Sequence, residues 1–188
     1  MAFQFRIQLK NVQQPPVWRK VIVPDSFTFE QLHLVIQESF GWRNYHLYQF
    51  SPSGYGSSPV IANPSDDDWE KPALNASKTK LSAVFNAENQ KYTYIYDFGD
   101  DWAHGIILET ILPEETLKAS CLSGKGACPP EDCGGAWGYE RLKEILKDPK
   151  HKEYKELKEW IGIEDVKDRF HPEAFNLDHV NKKLSKIC

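Results

Sequence analysis

Three aspartates and a histidine fall within one short run, Tyr92-Thr-Tyr-Ile-Tyr-Asp-Phe-Gly-Asp-Asp-Trp-Ala-His104. Asp97, Asp100 and Asp101 offer hard oxygen ligands of the kind that hold Mg²⁺ or Ca²⁺. A buried carboxylate among them can also serve as a general base, with Trp102 and His104 alongside. The spacing is not that of a calcium loop, because Asp-x-Asp-x-Asp-Gly is absent. Aspartates beside a glycine also shape tight turns by accepting backbone N–H bonds, and that role is the favoured reading of the run. Asp97-Phe-Gly99 occurs in protein kinases too, but no glycine-rich nucleotide loop and no His-Arg-Asp loop accompany it.

A second run, Gly126-Ala-Cys-Pro-Pro-Glu-Asp-Cys-Gly-Gly-Ala-Trp-Gly-Tyr139, adds Cys128, Glu131, Asp132 and Cys133. With Cys121 and His104, the two cysteines supply four donors suited to a tetrahedral zinc site. The two short cysteine pairs of most structural zinc sites are missing, which favours small buried thiols beside a Pro-Pro corner. A cysteine nucleophile needs a neighbouring base, for which His46, His104 and His151 are the candidates. Gly134-Gly135 lets main-chain N–H groups approach an anion. It is not a phosphate loop, since the Gly-Lys-Ser/Thr ending is absent.

These residues need elements to carry them. Phe3, Phe5, Ile7 and Leu9 alternate with polar residues, which predicts a half-buried strand. A turn over 11–16 leads to a second strand, Val17 to Val23, antiparallel to the first. Thr28 with Gln31 predicts a capping box, and Leu32, Val35, Ile36 and Phe40 an apolar helical stripe. Gly41 is placed to end that helix in a left-handed turn. A strand is predicted over His46 to Phe50, loops over 51–58 and 63–75, an exposed acidic stretch at Ser65 to Trp69, and a short helix over Lys80 to Phe85. Lys91 to Asp97 and Trp102 to Leu112 form a predicted hairpin turning at 98–101. Leu117 to Trp137 reads as irregular, and loops of that length are often functional.

Helices are predicted over 139–146, 151–161 and, capped by Asn176, through Leu184. Strands first and helices last predict one α+β domain over 1–188. Its mainly antiparallel sheet carries an early helix and several C-terminal helices. On that hairpin Tyr92, Tyr94 and Tyr96 share a face, as do Trp102 and His104. Exposed, they would stack bases or dock a peptide. Without basic residues between them, the core-facing arrangement is favoured.

At 188 residues, 40% hydrophobic and 13% aromatic, the chain can build a real core. A net charge of −4 disfavours broad capture of a phosphate backbone. The lysines between 143 and 158 alternate with glutamates, as on a solvated helix. No signal peptide and no membrane span is predicted, which points to the cytoplasm and to reduced thiols.

Ordered along the chain, Pro16-Val-Trp-Arg19, Thr28-Phe-Glu-Gln-Leu-His33, Phe40-Gly-Trp42, His46-Leu47, the run from Tyr94 to Trp102 with His104, Ala127 to Gly135, Gly138-Tyr139 and Phe175 to Asn181 resemble the plasmid ORF-3-like family. The resemblance implies a compact α+β protein of bacteria or archaea with no established activity, so no catalytic residue is carried over. Its plasmid and insertion-element members hint at nucleic-acid work.

The first expectation is therefore a non-enzymatic binding module. Its site would lie where the 92–104 hairpin meets the 127–139 loop, drawing on Asp97, Asp100, Asp101, Trp102, His104, Glu131 and Asp132. The alternative is a divalent-metal-dependent hydrolase using the same acids and histidine. A nucleic-acid-associated protein of mobile elements ranks below both.

Overall fold

In the computed structural model, which describes residues 1–64, 74–163, 165 and 168–187, alternating strands build one eight-stranded sheet in the order β5-β4-β3-β6-β7-β1-β2-β8. Its strands are β1 (Ala2–Gln13), β2 (Pro16–Pro24), β3 (Tyr48–Ser51), β4 (Ile61–Ala62), β5 (Leu74–Asn75), β6 (Lys91–Tyr96), β7 (Trp102–Leu112) and β8 (Ser120–Lys125). Every neighbouring pair is antiparallel except β4 and β5. The helices are α1 (Phe29–Phe40), α2 (Gly135–Lys147), α3 (Tyr154–Trp160) and α4 (Leu177–Leu184), so the fold class is α+β as expected. The acidic stretch Ser65 to Trp69 lies outside the described residues.

The strand period of two sorts the side chains. Ile7 faces Arg19 on β2 and Ile106 on β7, while Tyr94 faces His104 and Phe50, and all of these are buried. The tyrosine ladder is therefore core, the arrangement that the lack of basic neighbours favoured. Over it lies α1. Thr28 closes a complete capping box with Gln31, and Gly41 takes φ +115° at the other end. Phe29 of α1 packs edge-on against Phe50 and close to Phe85.

Three segments depart from expectation. The stretch 117–137 is not irregular throughout, because Ser120–Lys125 pairs with β2 as the sheet edge. Helix α2 begins at Gly135, four residues before the predicted start, and has no side-chain cap. The 81–83 turn is a 3₁₀ turn and not a full helix. Among the described residues no helix is long and apolar enough to cross a membrane.

One buried cation ties the layers together. Arg19 donates to the carbonyls of Ser39, Trp18, Lys125 and Gly126, between the rings of Phe40 and Phe175. Desolvation draws its pKa down to about 10, which leaves it charged at neutral pH. By fixing Gly126, Arg19 fixes the point from which the 126–139 loop departs.

Candidate functional site

The loop and the hairpin meet. Asp100 at the hairpin tip accepts a hydrogen bond from Gly134 N–H at 3.1 Å. Gly135, at φ +66°, sits so close that a Cβ there would lie 2.5 Å from the Asp100 carbonyl oxygen. Only glycine combines that dihedral with that approach.

Asp97 ends β6 in a left-handed conformation, φ +57°. Its Oδ1 accepts the Gly99 N–H at 2.9 Å, which leaves Oδ2 pointing elsewhere. Glu131 is held in the same manner. Its Oε1 accepts the Arg43 N–H at 2.7 Å and the Tyr96 hydroxyl at 3.1 Å, and its Oε2 is free. Tyr96 in turn accepts the Tyr45 N–H at 2.9 Å. Burial first, then the neighbouring Glu131 charge, raises the Tyr96 phenol well above its usual range, so it stays a donor.

The two free oxygens face His46, which arrives on the segment between α1 and β3 with its ring edge-on to Tyr96. Its Nε2 lies 3.6 Å from Asp97 Oδ2, 3.1 Å from Asp132 Oδ1 and 3.9 Å from Glu131 Oε2. The side chains of Asp97 and Glu131 are each only 9% exposed, whereas Asp132 is 67% exposed and opens the group to solvent. His46 Nε2 and Glu131 Oε2 are buried atoms without a hydrogen-bond partner. Among the described residues, His46, Asp97 and Asp132 are the one group of three such side chains whose donor atoms lie mutually within 4.8 Å.

Asp132 and Trp160 border two clefts, one on each side. One, of about 480 Å³, runs past Arg43, Tyr45, Pro129, Pro130 and Glu131. The other, of about 370 Å³, runs past Trp137, Arg141 and Leu142. Trp137 is 78% exposed on the second wall.

Several residues singled out in the sequence lie elsewhere. His104 and Trp102 are buried on the core face of β7 and do not join the cluster, a correction to the expected site. Strand alternation turns them under α1: Trp102 packs on Trp42, and His104 donates through Nδ1 to the Trp102 carbonyl and accepts the Trp42 indole N–H at 3.3 Å. Burial lowers the His104 pKa to about 3, so the ring is neutral.

The His104–Cys121–Cys128–Cys133 zinc set is likewise not assembled. All three cysteines are free thiols, Cys121 donating weakly to the Ser123 carbonyl. Burial pushes the Cys128 thiol far up and, with the Asp100 charge adding, Cys133 up to about 12, which removes the thiolate a nucleophile needs. Asp100 serves as a clamp to the loop, and Asp101 as a turn residue at φ +57°.

The residue that sequence reasoning missed as a site member is His46. It sits alone before a strand, marked only by the ordered His46-Leu47 match and as one of three candidate bases for a cysteine, never beside the aspartates.

Comparison with known proteins comes to the same blank on activity. The profile of the family described as "Plasmid pRiA4b ORF-3-like protein" matches residues 1–179, and the chain belongs to that family. A relative from Sinorhizobium fredii, "Uncharacterized protein y4hQ", is 35% identical over 187 residues, covering 98% of this chain and 91% of its own. The crystal structure of a protein of unknown function, MM3350 from Methanosarcina mazei Go1, is similar with a TM-score of 0.80 and 36% identity. That likeness covers 94% of this chain and 96% of the other.

Proposed function

We propose that this member of the plasmid ORF-3-like family is a divalent-metal protein, its ion held by His46 Nε2, Asp97 Oδ2 and Asp132 Oδ1, beside a cleft that Glu131 and Asp132 line. One observation carries the reading. His46 Nε2 is within 4 Å of three carboxylates, yet neither it nor Glu131 Oε2 has a hydrogen-bond partner. Buried polar atoms without partners are rare in folded proteins, and an ion is one of the few things that accounts for them. A cation held by His46, Asp97 and Asp132 would satisfy the imidazole lone pair and two carboxylates together, and water on it would reach Glu131 Oε2.

One imidazole with carboxylates suits Zn²⁺ or Mn²⁺. Three protein donors leave coordination positions for water and ligand, as in catalytic and not structural zinc sites. The donors come from three separate segments, so the ion also cross-links the hairpin tip, the loop and the entry to β3. We place the protein in the cytoplasm, where its thiols stay reduced. The acid excess around the cleft, set beside the net charge of −4, argues against a nucleic-acid partner there.

Elemental analysis of protein purified without chelator is expected to find close to one Zn²⁺ or Mn²⁺ per chain. Added ion at about 100 times its Kd should stabilise the fold by roughly 2.7 kcal/mol. Protein that carries no ion and gains no thermal stability from either metal would refute the proposal.

A further inference from the structure

From the geometry of Glu131 we infer that the centre is hydrolytic, with Glu131 as its general base and an uncharged ester or amide as its substrate class. This rests on the metal reading above. The two oxygens of Glu131 have separate roles. One oxygen is locked by a backbone N–H and a phenol, so the carboxylate cannot rotate away. The other is buried, unpartnered and aimed at the donor group, 3.9 Å from His46 Nε2. Glu131 is not one of the three donors that lie mutually within 4.8 Å. It would therefore border an ion held by those three, within reach of a water that such an ion would activate. A base fixed in place beside an activated water is the arrangement that general-base catalysis requires.

The chemistry balances without a further reactant. Glu131 Oε2 takes a proton from the attacking water. The water oxygen forms a bond to the acyl carbon, and the carbonyl oxygen takes up the displaced electron pair. The pair then returns, the bond from acyl carbon to the leaving oxygen or nitrogen breaks, and the proton on Glu131 passes to that leaving atom. The products are a carboxylic acid and an alcohol or amine, with water consumed and Glu131 restored.

Charge selects the substrate class. Asp97, Glu131 and Asp132 surround His46, and Asp100 holds the adjoining loop. A divalent ion offsets only part of that charge, so a phosphate anion is repelled where a neutral acyl group is not. The cleft beside Glu131 supplies Tyr45, Pro129, Pro130 and Phe170 for apolar contact with the acyl or leaving portion.

The test uses the full chain loaded with Zn²⁺ or Mn²⁺ and two probes, 4-nitrophenyl acetate and bis(4-nitrophenyl) phosphate, against Glu131→Gln. Glutamine keeps the shape but cannot accept the proton. The expected result is acetate hydrolysis above that of free ion, falling about 10²–10⁴-fold in Glu131→Gln. Calorimetry should give Glu131→Gln the same one-ion stoichiometry as wild type. Loaded protein with no hydrolysis above free ion, an unchanged rate in Glu131→Gln, or preferential cleavage of the phosphate probe would overturn the inference. Those outcomes leave the metal reading standing. Absence of ion binding in the calorimetry would instead bring down the metal reading and this one with it.

Discussion

Asp97 and Glu131 each give one carboxylate oxygen to the fold and keep the other free, and the two free oxygens face the same imidazole. Orientation by hydrogen bond is what turns scattered acids into a donor set, because a carboxylate fixed at one oxygen has its second oxygen placed by geometry. Tyr96 tests the point. Tyr96→Phe removes a donor to Glu131 Oε1 and the acceptor for Tyr45 N–H. Urea unfolding should show a loss of about 1 kcal/mol per affected hydrogen bond, with the one-ion stoichiometry retained. A fully stable Tyr96→Phe would mean that the phenol positions nothing. At this scale the sequence was half legible. Asp97, Glu131 and Asp132 stood out by type and crowding. His46 did not, because only the fold brings it to the acids, Asp97 lying about fifty residues further along the chain. His104 misled for the converse reason: adjacency in sequence placed it near the acids, while strand alternation buried it.

Between elements, the decisive contact is the hairpin tip against the start of α2. Asp100 and Gly134 hold it by hydrogen bond, and Gly135 by the absence of a side chain. A Cβ on Gly138 would collide with the Cys133 carbonyl oxygen inside the turn that presents Asp132. Gly138→Ala is therefore expected to destabilise the protein by roughly 1–3 kcal/mol and to weaken ion binding although it alters no ligand. Thermal unfolding with and without Zn²⁺ measures both, and an unchanged response would show that the turn does not position the site. Helix α1 was readable end to end, since capping box, stripe and Gly41 all act locally. Strand β8 was not. Ser-Cys-Leu-Ser-Gly-Lys has little strand character of its own and is extended because β2 offers an edge to pair with. The early start of α2 at two glycines is equally a matter of docking, as glycine is a poor helix former.

Over the whole molecule, the core is built around neutral histidines as well as hydrocarbon. His33 bonds Tyr94 and Asn44 and stacks on Tyr48, and burial lowers its pKa to about 4; His104 is lowered to about 3. Both folded values lie below the unfolded value of about 6.5, so the unfolded chain binds more protons between them. Stability is thus complete above pH 6.5 and drains away as pH falls toward 4 and then 3, by up to on the order of 3 kcal/mol for each ring. Chemical denaturation across pH 4 to 7 should show this slope, and His104→Phe should flatten it; an acid slope unaltered in that variant would mean the ring is not buried neutral. The α+β class followed from strands preceding helices along the chain, and the core face of the tyrosine ladder from the lack of basic residues between the rings. The junction that makes the site did not, because it depends on the 126–139 loop departing from Gly126, where buried Arg19 pins it. The central claim, a cation shared by His46, Asp97 and Asp132, is tested most directly by titrating Zn²⁺ into chelator-stripped protein in a calorimeter. One ion per wild-type chain is expected, with affinity lost by at least about 100-fold in His46→Ala and in Asp97→Asn. No binding to wild type, or equal binding to wild type and His46→Ala, would contradict it.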